Sequence, residues 1–435
     1  MHEGAAVSNV LDELQWRGLV SQTTDVEALR TALEDGPITY YCGFDPTAPS
    51  LHHGHLVQLV LLRHLQLAGH HPIALVGGAT GLIGDPRMSG ERVLNDRETV
   101  AGWVERLQNQ ISRFLSFEGD NPARMVNNLD WHAGLSALDF LRDVGKHYRL
   151  GTMLAKETVA RRLASDEGIS FTEFSYQILQ GMDFLELNRR YGCTLQTGGN
   201  DQWGNLLSGV ELVRKSDQRS VHALTTPLIT KADGTKFGKS EGGAVWLAPD
   251  MMSPYAFYQF WVNADDADVV GWLRTFTFRT REEIAELEAA VAERPAAREA
   301  QKALAADVTT MVHGERATQQ AIAASQALFG RGELADLVPE TLAAATEGLP
   351  RTGFAIGDPV ADVLAATGVV KGKGAARRAI AEGGVYVNNV KVSGEDALLT
   401  EGDVLGGRFV LLRRGKRTVT VAVLGEAAGQ VAPQV

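Results

Sequence analysis

Two short segments carry side chains that could handle phosphate. The first, Gly43-Phe44-Asp45-Pro46-Thr47-Ala48-Pro49-Ser50-Leu51-His52-His53-Gly54-His55, sets two imidazoles around a glycine. At a helix start His52 and His55 can face one point. Gly54 lets a ligand approach the backbone, and the first turn offers unsatisfied N–H groups at a positive dipole end. The second, Lys231-Ala232-Asp233-Gly234-Thr235-Lys236-Phe237-Gly238-Lys239-Ser240, is a polar loop with two glycines. Alone it reads first as a solvated surface loop. Paired with the histidines, Lys236 and Lys239 can swing over phosphates and neutralise charge on a departing pyrophosphate. Together the segments suggest a nucleoside triphosphate held from two sides.

The elements that must position these residues alternate strand and helix through the first ~230 residues. Strands are expected at Ile38 to Gly43, Pro72 to Gly78, Arg124 to Asn128 and Cys193 to Thr197. Helices are expected over His53 to Gly69, Glu98 to Phe117, Phe140 to Leu163, Phe171 to Tyr191 and Asp201 to Arg214. This pattern predicts an α/β fold, a Rossmann-like doubly wound parallel sheet over residues 1–250. Ligands bind such sheets beyond the carboxyl ends of the strands, where the informative residues lie. An α-helical domain is expected over 251–346. After a linker at Glu347 to Gly353, a small α+β RNA-binding domain is expected over 355–435.

Bulk properties narrow the class. No apolar run reaches the ~18 residues of a membrane span, and no secretory signal is visible at the start. Cys42 and Cys193 are the only cysteines, too few for a disulfide framework or a thiolate zinc site, so a cytoplasmic protein without a structural metal is expected. Net charge is −11. Residues 351–435, however, hold eleven Lys and Arg against eight Asp and Glu, so the tail is basic and the body acidic. That asymmetry fits a polyanion-binding appendage, with a solvated charged face as the plainer alternative.

Further segments carry a family resemblance. Tyr41-Cys42-Gly43-Phe44-Asp45-Pro46-Thr47, Val76-Gly77-Gly78-Ala79-Thr80-Gly81-Leu82-Ile83-Gly84-Asp85-Pro86, Phe171-Thr172-Glu173-Phe174-Ser175-Tyr176 and Gly198-Gly199-Asn200-Asp201-Gln202-Trp203-Gly204-Asn205 stand in order with the two phosphate segments. With them the chain resembles the bacterial tyrosyl-tRNA synthetases, a branch of the class I aminoacyl-tRNA synthetases. The resemblance runs from about residue 10 to 420. It implies a tyrosine–tRNA ligase that forms tyrosyl-adenylate from L-tyrosine and ATP, with Mg²⁺ accompanying ATP, and then charges tRNA(Tyr). It also implies a homodimer.

Residue by residue, the resemblance assigns Tyr41 and Asp183 to the substrate phenol and Asp85, Tyr176 and Gln180 to its ammonium. Gln202 goes to its carboxylate and the α-phosphate. For ATP it assigns Cys42, Gly43, Asp45, Thr47, His52, Gly54, His55, Arg92, Gly199, Asp201, Lys236, Lys239 and Ser240. Of these, Thr47, His52, His55, Lys236 and Lys239 are the expected catalytic group. The loop bearing Arg92 lacks the family's companion lysine, for which Arg87 can substitute. His53 and Phe237-Gly238 depart from the usual signatures and read as spacers.

The residues themselves support part of this. Tyr176, Gln180 and Asp183 share one helical face, though an ordinary amphipathic helix would show the same spacing, and Asp85 would suit a plain turn. A hydroxyl beside a carboxylate satisfies a phenol, and phenylalanine would leave both unpaired. Segment 375–388 resembles a small RNA-binding module, which assigns Lys371, Lys373, Arg377 and Arg378 to RNA phosphates. Three rivals remain at this point: a tryptophanyl-tRNA synthetase, a small-molecule nucleotidyltransferase with the same histidine motif, and an RNA-binding protein without catalysis.

Overall fold

The computed structural model describes residues 9–88, 90–235, 237–238, 243–330, 332–415 and 418–426. Two compact units divide the chain. One comprises Met1–Met251 and Ala264–Leu304, the other Met252–Asn263 and Ala305–Val435.

The first unit is built on a six-stranded sheet: β1 (Gln22–Thr23), β2 (Thr39–Phe44), β3 (His71–Val76), β4 (Arg124–Asn127), β5 (Cys193–Gly199) and β6 (His222–Thr226). Their order is β1-β6-β5-β2-β3-β4. Strands β2 to β6 are parallel, and the two-residue β1 closes one edge antiparallel to β6. The chain winds outward from β2 to β4, then returns past β2 to add β5 and β6. The strand order therefore reverses between β2 and β5, the place where such sheets open a crevice. Five of the six residues of β3 are buried, as for a strand covered on both faces.

Helices set the crevice residues. His53–Leu67 follows β2 and buries Leu56, Leu59, Val60 and Leu62 completely. Phe171–Tyr191 starts at Ser170, whose side chain accepts the Glu173 N–H, and stops at Gly192 with φ 63°, a left-handed stop that glycine adopts without strain.

One expected helix is absent. Phe140 to Leu163 is broken into a π turn (Phe140–Val144), a 3-10 turn (Gly145–His147) and two short helices, Leu150–Leu154 and Glu157–Leu163. The physical reason lies at Tyr148 and Lys156. Both take extended backbone (ψ 136° and 130°), and Tyr148 thereby packs against the core beneath the sheet. Periodicity alone does not register a chain that interrupts its helix to insert a side chain. His222–Thr226 forms a further strand beyond those expected from the sequence.

In the second unit a five-stranded sheet is ordered β7-β11-β10-β8-β9. Its strands are β7 (Arg351–Phe354), β8 (Val385–Val387), β9 (Val390–Lys391), β10 (Phe409–Arg414) and β11 (Thr418–Leu424). Side chains alternate across it. Val410, Leu412 and Ala422 join Leu364, Ala376 and Ile380 in one core. Phe409, Leu411, Val421 and Val423 join Ala324, Leu328, Leu342 and Ala345 in another. Period-two patterning thus fastens the sheet between two helical layers. The linker expected at Glu347 to Gly353 runs directly into β7, which pairs with β11.

Candidate active site

The crevice opens where β2 ends. His52 caps the following helix: its Nδ1 accepts the Gly54 N–H at 3.1 Å, and His55 Nδ1 accepts the His52 N–H at 3.2 Å. The rings stack 4.1 Å apart. Burial lowers the His52 pKa and drives that of His55 far down, with His52 and His53 adding to the latter. Both rings are therefore neutral near pH 7. Since each Nδ1 is an acceptor, each ring carries its hydrogen on Nε2. The pair offers two N–H donors rather than two positive charges. A Cβ on Gly54 would stand 2.9 Å from His52 Cε1, so this glycine keeps the capping ring in place.

His53 is not a mere spacer. Its N–H binds Val245 O at 2.9 Å, Leu247 N binds Leu51 O, and an antiparallel bridge joins His52 to Trp246. The His53 ring meets Phe237 edge-on at 5.0 Å, and a Cβ on Gly238 (φ 80°) would fall 2.0 Å from His53 Cε1. Phe237 is buried against Trp272 at 4.4 Å. The two departures from the family signatures are thus packed on each other. Burial, with His52 next, lowers the His53 pKa to about 4. Lys236, Lys239 and Ser240 lie outside the described residues.

A second group of expected site residues is polar and buried. Tyr41, 1% exposed, packs its ring at a tilt against Phe184 at 5.4 Å, and its hydroxyl has no hydrogen-bond partner. Asp183, 2% exposed, accepts three donors: Trp131 Nε1 (2.8 Å) and His132 Nε2 (2.8 Å) on Oδ1, and Asn128 Nδ2 (3.0 Å) on Oδ2. A carboxylate has about four acceptor positions, so one remains, on Oδ2. The buried Oε1 of Gln180 is likewise unpartnered. An unpaired buried hydroxyl or amide oxygen is costly unless a ligand completes it.

Around these groups the other expected residues take up positions. Asp45 accepts the Tyr176 hydroxyl and Thr80 Oγ1, each at 2.6 Å; burial, against these two donors, pushes its carboxyl up to about 6. Asp85 accepts Gln202 Nε2 at 2.9 Å and Asn205 Nδ2 at 3.2 Å, with Lys156 Nζ at 3.6 Å. Asp201 receives Gln202 Nε2 at 3.3 Å and sits where a Cβ on Gly199 would collide with it. Cys42 is buried on β2, its thiol raised to about 12 by that burial. Gly43 and Thr47 are exposed near the end of β2.

Arg92 donates through Nε to Asp85 O at 2.6 Å, and its N–H reaches Glu173 at 2.7 Å. Glu173 pairs in turn with Arg162 at 2.9 Å, each 1% exposed, and Arg162 grips the carbonyls of Arg87 and Gly90. A buried ion pair therefore anchors the loop that carries Arg92.

Sequence reasoning missed Asn128, Trp131, His132, Lys156 and Thr80 as partners of the site carboxylates. Only the polar Asn127-Asn128 pair at the end of β4 carried a usable signal, since that strand end faces the crevice. In the second unit Lys371, Lys373, Arg377 and Arg378 are exposed on and just before the Lys373–Ala381 helix, with Lys373 paired to Asp362 at 2.7 Å. Among the described residues no three His, Cys, Asp or Glu side chains are grouped to hold a metal ion.

A model of the class I tRNA synthetases (W and Y) matches residues 33–330, and a tyrosine–tRNA ligase SYY-like C-terminal domain matches 341–422. The chain is 62% identical over 414 residues to the tyrosine–tRNA ligase of Streptomyces coelicolor, covering 95% of this chain and 98% of that one. The Streptomyces avermitilis ligase matches with the same identity and coverage. Among solved structures, a C-terminally truncated mitochondrial tyrosyl-tRNA synthetase from Coccidioides posadasii aligns with TM-score 0.65 at 33% identity, over 72% of this chain and 91% of that one. A strand reversal, a capped histidine pair and buried, incompletely partnered polar groups at Tyr41, Gln180 and Asp183 thus coincide with matches along nearly the whole length, and the chain belongs to the tyrosine–tRNA ligase family of class I tRNA synthetases.

Proposed function

We propose that this chain activates L-tyrosine with ATP and transfers the tyrosyl group to the 3′ end of tRNA(Tyr). The observation that carries the substrate choice is the unpartnered Tyr41 hydroxyl beside Asp183, whose single remaining acceptor position suits a phenol. The phenol donates to Asp183 Oδ2 and accepts from Tyr41. An indole carries one donor and no acceptor, so it would leave the Tyr41 hydroxyl unpaired. Family members serve as a standard example of such discrimination without editing.

The tyrosine ammonium lies among Asp85, the Tyr176 oxygen and the open Gln180 Oε1. Its carboxylate oxygen attacks the α-phosphorus of ATP, and the bond to pyrophosphate breaks. No side-chain nucleophile takes part. His52 and His55 donate Nε2–H to phosphate oxygens as charge develops, and Thr47 contacts the γ-phosphate. Lys236, Lys239 and Arg92 meet the leaving pyrophosphate, with Ser240 beside them. Adenosine lies across Gly198-Gly199, its ribose held by Asp201 with Cys42, Gly43 and Gly54 alongside. Mg²⁺ comes with ATP and offsets triphosphate charge. In the second step the terminal ribose hydroxyl of tRNA attacks the tyrosyl carbonyl, and AMP leaves.

Lys371, Lys373, Arg377 and Arg378 supply phosphate contacts to the tRNA. A homodimer is supported by large apolar side chains left exposed between residues 138 and 171, among them Leu138 (79%), Leu150 (66%) and Phe171 (72%). A cytoplasmic setting accords with two buried, unpaired cysteines. No helix among the described residues is long and apolar enough to cross a membrane. Pyrophosphate exchange measured with each of the twenty amino acids tests the reading; exchange driven by tryptophan, or by none, would overturn it.

A further inference from the structure

We infer that Lys156 is a positioning residue for tyrosine activation: acting through Asn205, it orients the Gln202 amide so that N–H, not C=O, faces the site carboxylates and the substrate. This rests on the proposed reading of the pocket. Lys156 stands at the break before the Glu157–Leu163 helix, and its side chain is only 12% exposed.

Hydrogen-bond direction fixes this chain of contacts. An ammonium can only donate. Lys156 Nζ donates to Asn205 Oδ1 at 2.6 Å, so the carbonyl end of that fully buried amide faces the lysine. Asn205 Nδ2 must then point the other way, where it donates to Gln202 Oε1 at 2.9 Å and to Asp85 Oδ1 at 3.2 Å. With its oxygen so engaged, Gln202 turns Nε2 toward Asp85 Oδ2 (2.9 Å) and Asp201 Oδ2 (3.3 Å). Two amides therefore stand head to tail between a pure donor and two pure acceptors.

An amide has nearly the same shape after a flip, so only its partners decide its orientation. Asp85 and Asp201 bias Gln202 the same way. During reaction the substrate ammonium competes for Asp85, and that bias weakens. The lysine end of the chain is independent of substrate and keeps the direction. Lys156 also lies 3.6 Å from Asp85 Oδ1, where a cation opposes the incoming ammonium rather than attracting it. Lys156 thus serves the reacting step at no gain to ground-state binding.

The test compares Lys156→Met, Lys156→Arg and Asn205→Ala with the wild-type chain. Single-turnover adenylate formation and tyrosine affinity are measured on protein shown to be folded by its melting profile. Lys156→Met is expected to slow adenylate formation about tenfold while the tyrosine dissociation constant stays the same or falls. Lys156→Arg, which still donates, recovers most of the rate. The Lys156→Met/Asn205→Ala double variant is no slower than the slower single one, because both interrupt one chain. A Lys156→Met rate within twofold of wild type overturns the inference, and so does tyrosine affinity falling in step with rate, the mark of a merely structural lysine. Absence of tyrosine-dependent exchange in the wild-type chain would instead overturn the pocket reading and this inference with it.

Discussion

Replacing His52 with asparagine separates two duties that one imidazole combines. The Nδ1 side caps the His53–Leu67 helix by accepting the Gly54 N–H, and the Nε2 side carries the hydrogen proposed to reach ATP. Asparagine is a favoured N-cap whose short amide can accept the same N–H, so His52→Asn should change stability by only a few tenths of a kcal/mol. His52→Ala loses the cap as well, at about 1 kcal/mol. Alanine has no donor, and the asparagine NH2 stops short of the Nε2 position, so both variants lose the donor at the phosphate. Removing one donor aimed at developing charge typically slows reaction roughly 100- to 1,000-fold, about 2.7–4 kcal/mol. Burial already keeps the His52 ring neutral near pH 7, so what is lost is a hydrogen bond without a full charge. The expected loss is therefore at the lower end, about 100-fold, and depends little on salt. The assay is pre-steady-state adenylate formation, with tyrosine affinity and melting temperature measured on the same protein. His52→Asn forming adenylate at the wild-type rate would refute the reasoning. A loss of tyrosine affinity as large as the loss of rate would refute it too.

Tyr41→Phe removes a buried hydroxyl that has no partner, so unfolding stability should hold or rise by up to about 1 kcal/mol. The same change should lower kcat/KM for tyrosine roughly tenfold or more and spare phenylalanine; a drop in melting temperature would count against an unpartnered Tyr41 hydroxyl. The folded chain holds the Asp45 proton more tightly than the unfolded chain, with a carboxyl near 6 against an ordinary 3.8. Its stabilising contribution is therefore full below the ordinary carboxylate range and lost as pH rises through about 6. Asp45→Asn abolishes that titration, so its denaturation midpoint should gain on wild type between about pH 4 and about pH 6 and run parallel above; parallel curves throughout would exclude the burial argument. Arg162→Met leaves Glu173 buried without its cation and should cost about 3–5 kcal/mol in denaturant unfolding, with much of it regained in Arg162→Met/Glu173→Leu. Arg377→Glu with Arg378→Glu should weaken tRNA charging, more so at low salt, and leave pyrophosphate exchange untouched; undiminished charging at moderate salt would remove the tail from the tRNA site.

Much of this protein was legible in its residues because the relevant physics is local. Strand and helix alternation around β2, the helix from Phe171 to Tyr191, and the histidine segment at a helix start all follow from short-range periodicity and capping. The shared face of Tyr176, Gln180 and Asp183 follows from helical geometry alone. The partners of the site carboxylates do not. Asp183 is reached by Asn128, Trp131 and His132 from the turn after β4, more than fifty residues away in sequence. Lys156 reaches Asn205 only because the chain breaks a helix that periodicity would have continued. Nor could spacing reveal that His53 and Phe237-Gly238, each unusual in its own segment, lie against one another. The residue types alone suggested that phosphate could be handled here, and the family resemblance implied the phenol. Tertiary structure decided the rest: burial set the histidines neutral, capping set which nitrogen donates, and packing across the sheet set which acceptor positions remain open for a substrate.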